Sequence, residues 1–461
     1  MARAKKEAAL TPEERLQAAL VPDWEWPYKL PENWCWTRIT VITDILNGFA
    51  FKSQHYSSAG IRIIRITNVQ DGFIQDKKPV YYPLESQKEI TPFMLKDDDF
   101  LMSLTGNVGR VAIIDASFLP AALNQRVACL RIKSEDSVRK EYIFYFCLQK
   151  QFVSDCIKSA KGSAQLNMST EWLKEYPIPL PPLAEQQRIV DRIESLFANL
   201  DEAKEKAQAV LDSFETRKAA ILHKAFTGEL TAKWREEHGV GMESWEKKSV
   251  GELCISLKYG TAKKSDASGN VVVLRMGNLQ QGEIDWSDLA YSNDPDDIEK
   301  YKLFPGDVLF NRTNSAALVG KTAIYRGEHP AIYAGYLIKL DYDHDKIIGD
   351  YLNYALNTLD AKKYCNSVKT DGVNQSNINA KKIGAYSFNV PSIPEQEKIV
   401  SVIQKLLSKE QQAKEAAEAV LDQIDLMKKS ILARAFRGEL GTNDPNEESA
   451  VELLKKVFQK E

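Results

Sequence analysis

Cysteine and histidine are scarce and scattered in this chain of 461 residues. The six cysteines (Cys35, Cys129, Cys147, Cys156, Cys254, Cys365) form no C-x-x-C pair, which argues against a disulfide framework or a zinc module and fits a reducing cytoplasm. The five histidines supply no H-E-x-x-H and no pairing that suggests metal ligands. No apolar run approaches the ~20 residues needed to span a bilayer. Residues 2–20 are charged and lack the apolar stretch of a secretory signal, so no membrane role is expected. An excess of one charge is missing too: 61 Lys+Arg face 64 Asp+Glu, a net charge of −3. The chain therefore lacks the bulk positive charge by which many proteins grip nucleic acid.

Catalytic signatures are absent as well. The nearest approach to a phosphate-binding loop, Gly106-Asn107-Val108-Gly109-Arg110, is too short and has no Lys-Ser/Thr ending. There is no G-x-S-x-G elbow. The polar-Pro-Pro-aromatic tetrapeptide of amino-methyltransferases is missing, because Leu180-Pro181-Pro182-Leu183 is apolar at both ends. Glu202-Ala203-Lys204 reads as a solvated pair on a helix rather than a nuclease site. The chain looks non-enzymatic by itself.

What is present is a duplication. Residues 181–230 align without a gap with residues 391–440 at a constant offset of 210, and 23 of the 50 positions are identical. The offset extends upstream: Gly162, Gln165 and Asn167 match Gly372, Gln375 and Asn377, and Arg65, Asn68, Gln70 and Gly72 match Arg275, Asn278, Gln280 and Gly282. Trp34 corresponds to Trp245 within a residue. Such a period defines the architecture before any single element does.

Each unit opens with short β-rich runs, such as IRIIRI from Ile61 and VVVLRM from Val271, separated by turn signals such as Asp71-Gly72 and Pro305-Gly306-Asp307. A long helix follows. Its heptad seam is Ile189, Ile193, Leu196, Leu200, Ala203, Ala207, Val210 and Phe214, and the copy repeats it at Ile399, Ile403, Leu406, Ala413, Ala417, Val420, Ile424, Met427 and Ile431. Glu410 and Arg217 interrupt these seams. The residues expected to pair the helices are Ile189, Ile193, Leu196, Val210, Phe214, Ile399, Ile403, Leu406, Val420 and Ile424. A helix of about 43 residues is a rod of ~65 Å. The expected fold is α+β: two mixed α/β globules, each followed by a long helix, the helices pairing as an antiparallel coiled coil with pseudo-two-fold symmetry. The boundaries are an extension at 1–26, globule at 27–180, helix at 181–239, globule at 240–390, helix at 391–441 and extension at 442–461.

The globules carry loops rich in residues that contact bases and phosphates. In the first copy the candidates are Lys52, Arg65, Asn68, Thr105, Asn107, Arg110, Gln125, Arg126 and Lys161. In the second they are Lys263, Lys264, Arg275, Asn278, Arg312, Thr313, Asn314, Lys321, Lys369 and Asn374. The alternative is that Asn, Gly and Thr simply build turns. The loops at 104–110 and 311–321 occupy corresponding places but differ in sequence and length while the helices stay alike, a pattern suited to divergent readers on a shared scaffold.

Residues 30–34 (LPENW), 182–190 (PLAEQQRIV) with its copy at 392–400, and the A-F-x-G-E-L ends at 225–230 and 435–440 resemble the specificity subunits of type I restriction–modification systems. The resemblance covers essentially the whole chain. It implies two target recognition domains reading a bipartite target in double-stranded DNA. It also implies helices that serve as spacer and as docking surface for two methyltransferase subunits, with restriction subunits completing the complex. S-adenosylmethionine, ATP and Mg²⁺ would belong to those partners, none to this chain, and a partner would flip an adenine out of the duplex to methylate it. Bidentate contacts would come from Arg65, Asn107 and Arg126 in one globule and from Arg275, Arg312 and Asn314 in the other. The extensions would pack on the methyltransferase subunits. Residues 27–180 carry 19 basic and 16 acidic side chains and residues 240–390 carry 18 and 19, so weak DNA affinity is expected of the lone chain. Two other readings stand beside this one: a tandem coiled-coil scaffold that touches no DNA, and a self-contained methyltransferase or nuclease.

Overall fold

The computed structural model describes residues 11–162, 165–373 and 375–460. The chain divides into two compact units, one holding the chain up to Lys206 and again from Val420, the other Ala207–Ala419.

In the first unit the strands Thr43–Asn47, Val127–Ile132, Phe100–Ser103 and Val111–Ile113 form an antiparallel sheet in that order. A second sheet aligns Tyr81–Tyr82, Ile61–Ile64 and Ala121–Leu123, the last two parallel. The second unit repeats both, as Cys254–Tyr259, Leu337–Tyr342, Val308–Asn311 and Thr322–Ile324, and as Tyr291–Ser292, Val271–Leu274 and Ala331–Tyr333. The larger sheet is the middle layer, which is why FLMS and VLFN are buried throughout instead of alternating with polar residues. Phe100 and Met102 face the helices Lys140–Leu148 and Lys150–Ser159, while Leu101 faces the smaller sheet. Phe310 and Leu309 divide in the same way. Each globule is closed by an antiparallel strand pair, Cys35–Arg38 with Pro177–Leu180 and Glu246–Ser249 with Ser387–Val390.

The long helices are Leu183–Phe226 and Ile393–Ala435. Within the first unit Ile189 and Ile193 share a core with Leu432, Ala435 and Phe436, and Asp201 meets Lys428 at 2.5 Å. Within the second, Leu222 and Ala225 pack with Ile399 and Ile403, and Arg217 meets Glu410 at 2.6 Å. Rising numbers on one helix meet falling numbers on the other in both units, so the pairing is antiparallel. The two polar interruptions of the seam are thus each other's partners.

Of the expected pairing residues, Ile189, Ile193, Phe214, Ile399, Ile403 and Ile424 are buried, and Leu196, Val210 and Leu406 are half-buried. Val420 departs from expectation, being 39% exposed while the adjacent Leu421 is turned further inward. A straight helix drifts ~20° per heptad against a strict 3.5-residue repeat. By Val420 the inward stripe has moved on, to Ala417, Leu421, Ile424 and Lys428.

The extensions also differ from expectation, because each buries its apolar face within the first unit. The helix Pro12–Ala19, opened by a Thr11–Glu14 capping box, packs on the helix Ala450–Lys460, whose Ala450 and Leu454 join the core around Ile189. The Asn33 side chain donates to the Asp444 carbonyl at 2.9 Å, and the Trp34 indole donates to Asn443 Oδ1 at 3.1 Å.

The duplication keeps one buried carboxylate at the start of each long helix. Glu395 accepts from Thr231 at 2.7 Å, Arg235 at 2.7 Å and the Trp245 indole at 2.9 Å. Its counterpart Glu185 accepts from Thr442 at 2.7 Å and from Arg188, which reaches on to Glu447. The arginine thus comes from a different chain position in each copy. Burial pushes the Glu185 carboxyl above its usual range, against the pull of Thr442 and Arg188.

Candidate nucleic-acid interface

The two globules build the same surface from equivalent segments. Arg65 and Arg275 follow strands Ile61–Ile64 and Val271–Leu274, and their backbone N–H groups donate to Asn68 Oδ1 and Asn278 Oδ1, both at 2.8 Å. The same asparagines donate through Nδ2 to the carbonyls of Gln75 and Asp285. Each arginine lies flat, with Nη2 donating to the carbonyl of Lys78 or Asp288, and each leaves a buried Nε without a partner.

In the second unit this arginine lines an open cleft of about 770 Å³ together with Lys263, Lys264, Arg312, Gly335 and Tyr336. The Arg312 guanidinium stacks 4.8 Å from the Tyr259 ring centre and donates through Nη1 to the Gly335 carbonyl at 3.2 Å, while its Nε is also unpartnered. Tyr259 and Tyr336 are 42% and 48% exposed. The cleft thus offers two guanidiniums, that of Arg312 held against the Tyr259 ring, together with the exposed Tyr336 ring and a lysine rim, which suits base edges and phosphates. Lys263 faces the cleft with its charge already engaged by Asp294 at 2.7 Å, a contact that raises the ammonium above its ordinary range. Lys264 is exposed, as is Lys52 at the equivalent place in the first globule.

The readers differ. The bridges Phe49–Asn124 and Thr261–Ala334 align the two surfaces, so Gln125 and Arg126 stand where the second globule has Gly335 and Tyr336. Thr105 and Thr313 each bond an asparagine, Asn167 and Asn377, which places Leu104 opposite Arg312. Gln125, Arg126, Asn107 and Lys161 are exposed.

Several expected contacts are corrected. Asn68 and Asn278 are each 3% exposed, and the bonds that staple their turns occupy both ends of their amides. Thr105 and Thr313 are buried and bonded beneath the surface. Here the turn-building alternative describes the side chains correctly. Arg110 is held by Gln70 at 3.1 Å and Asp71 at 3.4 Å, and Lys369 donates to the Ala316 carbonyl at 3.1 Å. Asn314 is half-exposed, its Oδ1 capping the Ser315 N–H. Lys321 lies outside the cleft of Arg312, and its Nζ donates to the neutral Gln280 Oε1 at 2.7 Å, a contact that leaves its charge unpaired; Asn374 lies outside the described residues. The sequence reading missed Tyr336; the signal available was its alignment with Arg126 at the offset of 210.

Among the described residues no group of three His, Cys, Asp or Glu side chains could hold a metal ion, and no helix is long and apolar enough to cross a membrane.

A family profile, the type I restriction modification DNA specificity domain, matches residues 31–211 and again residues 242–419. Curated relatives include the type I restriction enzyme StySPI specificity subunit of Salmonella potsdam, 26% identical over 421 residues, which are 89% of this chain and 90% of that one. The EcoKI specificity subunit of Escherichia coli K12 is 26% identical over 450 residues, 93% of this chain and 96% of its own length. Among solved structures, an HsdS subunit from Thermoanaerobacter tengcongensis superposes with a TM-score of 0.62 at 19% identity, covering 90% of this chain and all of that one. A chain from a study of type I R-M complex assembly and conformational transition gives 0.65 at 18% identity, with the same coverage. At that identity the structural likeness speaks for the fold.

Proposed function

The chain belongs to the type I restriction–modification DNA specificity family, and from that premise we propose that its two globules read the two halves of a bipartite target without doing chemistry themselves. The observation that carries this reading is one scaffold with different side chains at equivalent places: Gln125 and Arg126 in one globule, Gly335 and Tyr336 in the other, with Arg312 standing where the first globule buries Leu104. Two identical half-sites would not require such divergence. The family match does not favour a scaffold indifferent to DNA.

The long helices are the docking surface for two methyltransferase subunits, and restriction subunits join through them. S-adenosylmethionine, ATP and Mg²⁺ are held by those partners, and the complex works on cytoplasmic DNA. The near-neutral charge of each globule supports this division, because backbone grip then comes largely from the partners.

Arg312→Ala tests the assignment. Methylome sequencing of a host carrying this chain and its methyltransferase partner is expected to show one half-site relaxed and the other intact, a loss of ~1–3 kcal/mol of discrimination at the base concerned. Equal relaxation of both half-sites would sink it.

A further inference from the structure

The second unit contains another open cleft, of about 530 Å³, where three lysines from three segments converge. Lys218 comes from the first long helix, Lys321 from the end of the 311–321 loop, and Lys362 from the helix Leu359–Val368. Among the described residues none of the three has an ion-pair partner. Lys218 Nζ donates to the Gln281 carbonyl at 3.2 Å and Lys321 Nζ to Gln280 Oε1 at 2.7 Å, both neutral acceptors. Burial holds Lys218 and Lys321 below the ordinary lysine range, and the charge of Lys362 pushes each further down. Glu215, which lines the cleft, and Glu283 pull Lys218 the other way, but Glu283 is already bound by Arg326 at 3.0 Å.

In the first unit the residues at the corresponding positions are ion-paired or apolar. Arg110 grips Gln70 as Lys321 grips Gln280. There, however, Asp71 occupies the place of Gln281 and pairs with Arg110 at 3.4 Å, and Val153 aligns with Lys362. Lys428, the counterpart of Lys218, is bound by Asp201. The lysines lining that cleft, Lys150, Lys158 and Lys429, stand at other positions with Asp71 among them. In the second cleft three lysines thus meet around one carboxylate, Glu215, leaving an excess of positive charge that an anion would offset. Ammonium groups are compact point charges with rotatable donors, well matched to the oxygens of a phosphate.

We propose that Lys218, Lys321 and Lys362 form a phosphate-binding site that holds a backbone phosphate of the duplex read by the second globule. The proposal rests on the DNA reading above and adds a contact that positions without reading sequence. One loop links the two functions: it carries Arg312 and Asn314 at its start and Lys321 at its end.

The test is DNA binding across a range of salt by the complex with its methyltransferase partner, for Lys218→Gln and Lys362→Gln. Each substitution lowers the slope of log K against log salt by part of the ~0.9 due to one phosphate and weakens binding by up to roughly fivefold at 0.15 M salt. Preference for the target over a sequence altered in one half-site stays unchanged. Slopes that do not move, in a complex that still prefers its target, overturn the cleft and leave the DNA reading standing. A wild-type complex with no sequence preference overturns both. Inorganic phosphate added to the DNA-free complex separates the sources. Thermal protection that is lost in Lys362→Gln, with unmoved DNA slopes, makes the occupant free phosphate and overturns the backbone assignment. Lys362 is exposed, so its loss does not put folding in question.

Discussion

Arg235→Ala destabilises the second unit by about 3–5 kcal/mol, the cost of leaving a buried charge without its partner. Glu395 is 1% exposed, and with Arg235 gone its carboxylate keeps only the Thr231 hydroxyl and the Trp245 indole. Arg235 also donates to the Gly228 carbonyl at 2.7 Å and lies 5.7 Å from the centre of the Trp245 ring, so truncation also loosens the turn after the first long helix. Because the chain has two units, a single melting temperature is a poor readout. Hydrogen exchange of the backbone amides at 393–403 is the better one, and those amides are expected to lose protection while amides at 183–193 keep theirs. The double change Arg235→Met with Glu395→Met removes both charges and recovers much of the loss, as buried pairs replaced by apolar residues commonly do. Unchanged exchange in Arg235→Ala would show that water screens the pair, contrary to its burial.

Phe436→Ala has a similar effect in the first unit, about 3–5 kcal/mol. Phe436 is fully buried and makes edge-to-face contacts with Tyr142 at 5.1 Å and Phe146 at 5.3 Å, while its carbonyl accepts from the Tyr28 hydroxyl. The ring lies in the same core as Ala450 and Leu454, so the cavity also frees the C-terminal helix. Its counterpart Phe226 sits in an identical A-F-x-G-E-L motif yet is only half-buried, against Tyr351 and Phe388. Phe226→Ala therefore costs less. Urea unfolding of the two variants, followed by exchange at 428–436 and at 218–226, checks the ordering, and an equal or larger loss from Phe226→Ala would contradict it.

Those two phenylalanines mark a boundary in what the sequence reveals. The offset of 210, the long helices and their opposed seams are legible, because a repeat and a heptad are patterns along the chain. The polar loops are legible as loops, and Arg312 lines an open cleft. The availability of each side chain is not legible. Asn68 and Arg126 both lie in polar turns, but Asn68 bonds a backbone segment seven residues on while Arg126 faces solvent. Nor does a heptad count reveal where the drift of a real helix carries Val420 outward and Leu421 inward.

The duplication, the paired long helices and the motifs shared at the offset of 210 were determined by the sequence alone, because each is a pattern along the chain. Which cations lie free was decided by the tertiary structure. Lys218, Lys321 and Lys362 are separated by 103 and 41 residues and follow no period. The electrostatic consequence of their meeting exists only once folding has brought them to one cleft.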